Sequence, residues 1–268
     1  MSRHESFSQL VDTMHRLRSP GGCPWDAEQT HSSLRQYLLE EAYEVVEAIE
    51  SGVDDELREE LGDLLLQVVF HAELATERQA FGIDEIADTV NAKLIRRHPH
   101  VFADTAVDSS EDVAANWAKI KAAERAEKAG GDRRPSALDG VPSGLPALLR
   151  AHRLGERASA IGLDWQTPAG ARSKVDEELA ELDEAVISGD GDRIAHEIGD
   201  VLFSLASYAR LLGHNTETAL RAGLSRFDAR VRKVEADFEA AGSDPSEASP
   251  EEIEAAWRRA KLQENADD

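Results

Sequence analysis

The stretch "LLEEAYEVVEAIESGVDDELREELGDLLLQVVF", residues 38–70, decides the fold class. Leu57, Leu61, Leu64, Leu65, Val68 and Val69 recur at the three- and four-residue spacing of one helix face. Ser51-Gly52 interrupts the pattern upstream, so the stretch reads as two helices joined by a short turn. Acids stand within it at Glu40, Glu41, Glu44, Glu60 and Asp63. Asp63 is lodged in Leu61-Gly62-Asp63-Leu64-Leu65-Leu66, a run apolar enough to be core.

A second copy of this arrangement lies downstream. Glu40-Glu41-x-x-Glu44 is followed after fifteen residues by Glu60-x-x-Asp63, and Glu177-Glu178-x-x-Glu181 after the same interval by Glu197-x-x-Asp200. Leu179, Leu182 and Val186, then Ile194, Ile198, Val201, Leu202 and Leu205, carry helical spacing on either side of Ser188-Gly189-Asp190-Gly191-Asp192. Trp117-x-x-x-Lys121 returns as Trp257-x-x-x-Lys261, and "CPWD" at 23–26 has a looser counterpart in "GLDW" at 162–165. Five acids recurring at fixed spacing predict two similar domains. The boundaries drawn are 1–130 and 146–268, with a linker over 131–145. It opens at the aperiodic Gly130-Gly131-Asp132-Arg133-Arg134-Pro135. No alternating strand pattern is visible, so the expected fold class is all-α.

The totals narrow the function. A net charge of −23, from 53 acids and 30 bases, argues against non-specific binding to nucleic acid, which needs clustered cations. An acidic chain can still hold a phosphorylated ligand when divalent ions stand between the two anions. Cys23 is the single cysteine, so no internal disulfide forms and a reducing compartment is expected. No stretch approaches the roughly 18–20 apolar residues of a membrane span. The expectation is a cytoplasmic protein with neither nucleic acid nor membrane as partner.

On helices, Glu41 and Glu44 share a face, and Glu56, Glu60, Asp63, Gln67 and His71 make one polar stripe. The second copy keeps that stripe as Glu197, Asp200, Ser204 and Tyr208. Two antiparallel helices would bring the acid sets together in a partly desolvated pocket. Like charges so placed are relieved by protonation or by hard divalent cations. The bland alternative, a solvated face, fits Glu47, Glu50, Asp54, Asp55, Glu56 and Glu59; it fits the repeated Asp63 and Asp200 poorly. A di-iron site would need Glu-x-x-His motifs, which do not accompany these acids. All-oxygen ligands favour Mg²⁺ or Mn²⁺.

The segments "GGCPWDAEQTHSSLRQYLLEEAYEVVEAI", "ELGDLLLQVVFHAELA", "KLIRRHPHVF", "NWAKIKAAE" and "LDGVPSGLPALLRAHRLGERASAIGLDW" resemble the MazG family of nucleoside triphosphate pyrophosphohydrolases. The resemblance runs from about residue 10 to 261. It implies two tandem helical domains, each a four-helix arrangement completed by homodimerisation. It also implies Mg²⁺-dependent hydrolysis of nucleoside triphosphates to monophosphate and diphosphate, with Mn²⁺ a possible substitute. The implied metal ligands are Glu41, Glu44, Glu60 and Asp63, and Glu178, Glu181, Glu197 and Asp200. Glu40 and Glu177 become candidates for orienting or deprotonating the attacking water. Lys93 and Arg97, and Arg226 and Arg230, match residues that contact the triphosphate; an arginine at 226 replaces the expected lysine, changing a point charge into a planar fork. Trp117 with Lys121, and Trp257 with Lys261, match a pair near the nucleotide. An indole there admits several bases, which fits broad specificity and a role in cleansing or regulating the nucleotide pool. A rival reading, most plausible for the first domain, is a regulatory module that binds nucleotides or proteins without hydrolysis. Both acid sets are intact, which speaks for hydrolysis.

Overall fold

The computed structural model describes residues 5–103 and 136–267 and, between them, 107, 109, 112–113, 116–117, 119–121 and 123–124. The glycine-rich stretch at which the linker was expected to open, 130–135, lies outside the described residues. Among those described there is no strand. Two compact units divide the chain, 1–128 and 129–268.

The first unit contains α1 (Glu5–Arg18), α2 (Pro24–Glu28), α3 (Arg35–Ser51), α4 (Asp54–Glu77), α5 (Ile83–Arg97) and α6 (Pro99–Phe102), with further helical residues among 112–124. The second contains α7 (Ala147–Ser159), α8 (Pro168–Ser188), α9 (Gly191–Leu211), α10 (Thr216–Ala240) and α11 (Pro250–Asp267). In each unit the acid-bearing helices form a packed hairpin, α3 with α4 and α8 with α9. The two hairpin turns are twins: Gly52 and Gly189 both cap their helix in the left-handed region at φ 71°. A Cβ at either would meet nothing within 4 Å, so backbone conformation and not space demands glycine. An L-residue forced into that region costs about 1 kcal/mol. Asp190 completes the second turn by accepting from the Asp192 and Arg193 backbone amides at the start of α9.

In the first unit Met14, Leu34, Val69, Phe70 and Leu74 form the core, with Leu10, Val11, Leu17, Tyr37, Leu66 and Ile83 packed against it. This face of α4 is therefore held by α1 and the start of α3. Arg18 reinforces the contact, its guanidinium fork donating to both Glu77 carboxylate oxygens at 2.6 and 2.8 Å. That hydrogen bond holds the Glu77 carboxyl below its ordinary range. In the second unit α7 lies against α9, and Gly155 permits the approach: a Cβ there would fall 2.9 Å from Arg210 Nε. Arg210 in turn donates to Asp164 at 2.6 Å.

The expectation that Leu61–Leu66 is core needs correction. Leu64 and Leu66 are partly covered, whereas Leu61, Leu65, Val68 and Asp63 itself are exposed. Ile198, Leu202 and Leu205 are likewise open in the second unit. Each acid-bearing hairpin buries one side of its second helix and leaves an apolar strip on another. A strip of that kind is what a further helical layer would cover.

Candidate metal and phosphate site

Of the five acids in each pattern, the twin hairpins bring three together. Single carboxylate oxygens of Glu41, Glu60 and Asp63 all lie within 4.8 Å of one another, as do those of Glu178, Glu197 and Asp200. Each group draws one acid from the first helix and two from the second. The two remaining predicted ligands, Glu44 and Glu181, stand outside these groups but beside them. Glu181 is hydrogen-bonded to Glu178, which raises its pKa, and burial with the Glu197 charge adds to the rise. Burial raises Glu41, and the charges of Asp63 and Glu44 raise it further. Glu60 is raised by desolvation and then by Glu44 and Asp63. Desolvation and neighbouring carboxylates thus both favour the neutral form of Glu41 and Glu60.

Such a group fits a hard divalent cation. Its donors are all oxygen, come from two helices, and include no Cys or His. Gln67, one turn beyond Asp63 and only 6% exposed, turns its amide nitrogen toward Glu41 Oε1 at 3.5 Å, while its own Oε1 is buried without a hydrogen-bond partner among the described residues. Glu40 is exposed and outside the group, and Glu177 is also exposed, paired with Lys174 at 2.8 Å.

The units differ in a way the acids alone did not reveal. In the second, Lys174 Nζ lies 2.7 Å from Glu178, Arg193 Nε 3.7 Å from Glu197 and His196 Nε2 3.2 Å from Asp200. Hydrogen bonds to Glu177 and then Glu178 raise the Lys174 pKa. At the corresponding places in the first unit stand Tyr37, Glu56 and Glu59. Glu178 and Glu197 are buried, at 5% and 7% exposure, whereas Glu41 and Glu60 are only partly so. Overlaying the repeats at these flanking positions, and not only at the acids, would have exposed the difference.

The predicted basic and aromatic residues form separate local constellations. Arg226 and Arg230, one turn apart on α10, line a groove of about 260 Å³ with Ser225, Ala229 and Lys233. None of the three clustered acids lines it. The Arg230 guanidinium lies over the Trp257 ring at 5.8 Å, and Phe227 packs on the same indole at 5.5 Å. Lys261 is exposed on α11. In the first unit Lys121 Nζ sits 4.9 Å over Trp117, whose other neighbour is His98 at 5.0 Å in an edge contact. Lys93 is partly buried on α5. Arg97 is engaged by Glu124, whose carboxylate also accepts from Arg96. Those two guanidinium groups, Arg97 first, hold the Glu124 carboxyl at a pKa of about 2.

The MazG nucleotide pyrophosphohydrolase domain matches twice, over residues 29–102 and 166–234, each time enclosing one acid hairpin. The chain belongs to the MazG family. It is 44% identical over 255 residues to the "nucleoside triphosphate pyrophosphohydrolase/pyrophosphatase MazG" of Thermotoga maritima, covering 95% of both chains. To the "nucleoside triphosphate pyrophosphohydrolase" of Escherichia coli K12 it is 43% identical over 263 residues, covering 96% of this chain and 98% of that one. A Mycobacterium tuberculosis protein of the same name is 47% identical over 163 residues, 60% of this chain and 47% of that one. Each MazG segment thus contains the full five-acid pattern, while Trp117 and Trp257 fall outside both segments.

Proposed function

We propose that this chain hydrolyses nucleoside triphosphates to the monophosphate and diphosphate, with Mg²⁺ or Mn²⁺, in the cytoplasm. The observation that carries the reading is the twice-built group of three carboxylates on a helix hairpin inside each MazG segment. The residues to hold the metal are Glu41, Glu60 and Asp63 with Glu44 beside them, and Glu178, Glu197 and Asp200 with Glu181. A divalent ion bound there supplies charge neutralisation for the phosphates and a more acidic bound water. Arg226 and Arg230 supply guanidinium forks for the triphosphate, and Lys93 and Arg97 are the matching pair in the first unit. Trp257 and Trp117 offer ring faces on which any base can stack, which supports broad specificity and service to the nucleotide pool. Glu177, paired with Lys174, and Glu40 are the residues we assign to orienting or deprotonating the attacking water. The second unit is the stronger candidate for turnover, because its more buried acids act in a lower dielectric. The test is to incubate the protein with ATP and Mg²⁺ and resolve the products. AMP and pyrophosphate are expected; ADP and orthophosphate would refute cleavage between the α and β phosphates.

The same reading includes a homodimer. Gly62 and Gly199 sit mid-helix, where glycine costs about 1 kcal/mol relative to alanine, and a Cβ at either meets nothing within 4 Å among the described residues outside its own helix turn. Both adjoin the open strips of Leu61 and Leu65, and of Ile198 and Leu202. A second copy packed there would account for the small residue and the apolar neighbours together. Replacing Leu65 and Leu202 with aspartate is expected to halve the mass seen by sedimentation; an unmodified protein that already sediments as a monomer would refute the dimer. The domain boundaries at 130 and 146 belong to this proposal as well, as does the absence of nucleic acid and membranes from its partners. Among the described residues no helix is long and apolar enough to cross a membrane.

A further inference from the structure

Beyond the carboxylates, the polar stripe of α4 continues through Gln67 and His71 into a chain of hydrogen bonds that the reaction does not use. Arg78 Nη2 lies 3.0 Å from His31 Nε2, and His31 Nδ1 lies 2.7 Å from His71 Nδ1. The two imidazole planes are within 5° of parallel. A guanidinium can only donate, so His31 Nε2 accepts and His31 carries its proton on Nδ1. That proton is donated to His71 Nδ1, which leaves the His71 proton on Nε2. His71 Nε2 is buried and has no hydrogen-bond partner among the described residues. The network therefore fixes His71 as a donor whose proton meets nothing. One turn earlier, Gln67 turns its amide nitrogen to Glu41, which fixes Oε1 as an acceptor that is also buried and unmet. Burying either group unpaired is unfavourable, and here the two stand one helical turn apart in sequence.

We propose that Gln67 Oε1 and His71 Nε2 form a nucleobase-reading subsite in the first unit, taking a base edge that presents an N–H beside an acceptor. The proposal rests on reading the first unit as a nucleotide site and adds the part that reads the base. Gln67 follows Asp63 by four residues and His71 follows it by eight, about 6 and 12 Å along the helix, so the pair begins beside the carboxylates, where the Gln67 amide meets Glu41 at 3.5 Å, and leads away from them. With phosphates at the carboxylates, that is the reach of the nucleoside. Both atoms are shielded from water, so an edge that reaches them meets no competition from solvent, and a base lacking the matching group leaves them unpaired. The corresponding positions of the second unit are Ser204 and Tyr208, which offer hydroxyl groups in place of a fixed acceptor and donor. The two units are thereby built to select bases differently.

The experiment uses the full chain carrying Glu178→Ala and Asp200→Ala, so that binding reports on the first unit. Calorimetry with Mg²⁺ compares uncleavable α,β-methylene analogues of UTP and GTP with the same compounds methylated at uracil N3 or guanine N1. Methylation removes the base N–H and leaves the phosphates unaltered. A tenfold or greater loss of affinity on methylation is expected for at least one base. Gln67→Met should abolish that discrimination. His71→Phe should weaken the unmethylated analogue, and His71→Gln, whose amide N–H can stand in for Nε2–H, should restore it. If neither methylation weakens binding in the parent chain, the subsite is overturned, whether or not the variants fold. Inorganic triphosphate separates the two readings. Glu41-dependent binding of it without base discrimination refutes the subsite alone, whereas no binding of triphosphate at all refutes the nucleotide site of the first unit together with its subsite.

Discussion

Replacing Glu178 or Asp200 with alanine is expected to lower pyrophosphate release by about a hundredfold or more, since even outer partners of metal ligands contribute 10- to 100-fold. Glu178 is 5% exposed and its oxygen converges with those of Glu197 and Asp200 within 4.8 Å. Removing it takes away one of three donors and frees Lys174, which stands 2.7 Å from it, to pair elsewhere. Glu178→Gln retains volume and one oxygen and separates loss of charge from loss of packing. A thermal melt on each variant checks that the hairpin persists. Wild-type turnover in both alanine variants would move catalysis to the first unit, where Glu41→Ala or Asp63→Ala should then abolish it. Pyrophosphate release surviving in all four variants would sink the carboxylate mechanism in both units. Binding of ATP without hydrolysis by the unmodified protein would leave the regulatory-module reading standing.

The second large effect concerns stability. Arg210→Ala is expected to destabilise the second unit by about 2–3 kcal/mol, below the 3–5 kcal/mol typical when one partner of a fully buried pair is removed. The lower figure reflects side chains still 11% and 15% exposed, and an Arg210 Nε that is buried without a hydrogen-bond partner among the described residues. Arg210 fills the space that Gly155 leaves between α7 and α9, so the variant loses packing as well as charge. A fall of roughly 5–10 °C in the melting temperature corresponds to this loss. The pH dependence has a definite sign. Burial pushes the Asp164 carboxyl up, but hydrogen bonds from Arg210, Ser159 and the Trp165 backbone outweigh it and hold the pKa below the ordinary 3.8. The pair's contribution is therefore complete above that ordinary value and lost as pH falls through the lower folded value. Without Arg210 the desolvation of Asp164 is unopposed by charge, its pKa rises, and protonation relieves the variant. The stability gap should thus narrow as the solution is acidified. Equal melting temperatures at neutral pH would show that the pair contributes nothing.

Much of this arrangement was legible one helix at a time. Helical periodicity, the Gly52 and Gly189 turns and the spacing of the acids are local properties: each depends on residues within a few turns of one another. Overlaying the two halves leads to the expectation that four or five carboxylates converge in each; in the structure Glu41, Glu60 and Asp63 come together, and Glu178, Glu197 and Asp200. What a periodic pattern cannot contain is which side of an apolar helix is covered. Leu61, Leu64 and Leu65 belong to one helical period, yet Leu64 is partly covered while Leu61 and Leu65 are exposed. Nor does acid spacing state where the cations stand. Lys174 lies one turn before Glu178, and its contact with the cluster needs both helix geometry and a rotamer directed inward. Arg97, read as a ligand for phosphate, is found on Glu124, 27 residues away and on another element.

The sequence by itself determined that this protein is all-helical and duplicated, with two five-acid patterns set to converge across hairpins, because those features follow from the period of the helix. Only the tertiary structure decided that Glu44 and Glu181 stand beside their groups, that basic side chains compensate the second cluster and, among the described residues, not the first, and that Gln67 and His71 present a buried acceptor and donor. These depend on which atoms meet across different helices, a matter of distance and burial that no spacing along one helix contains.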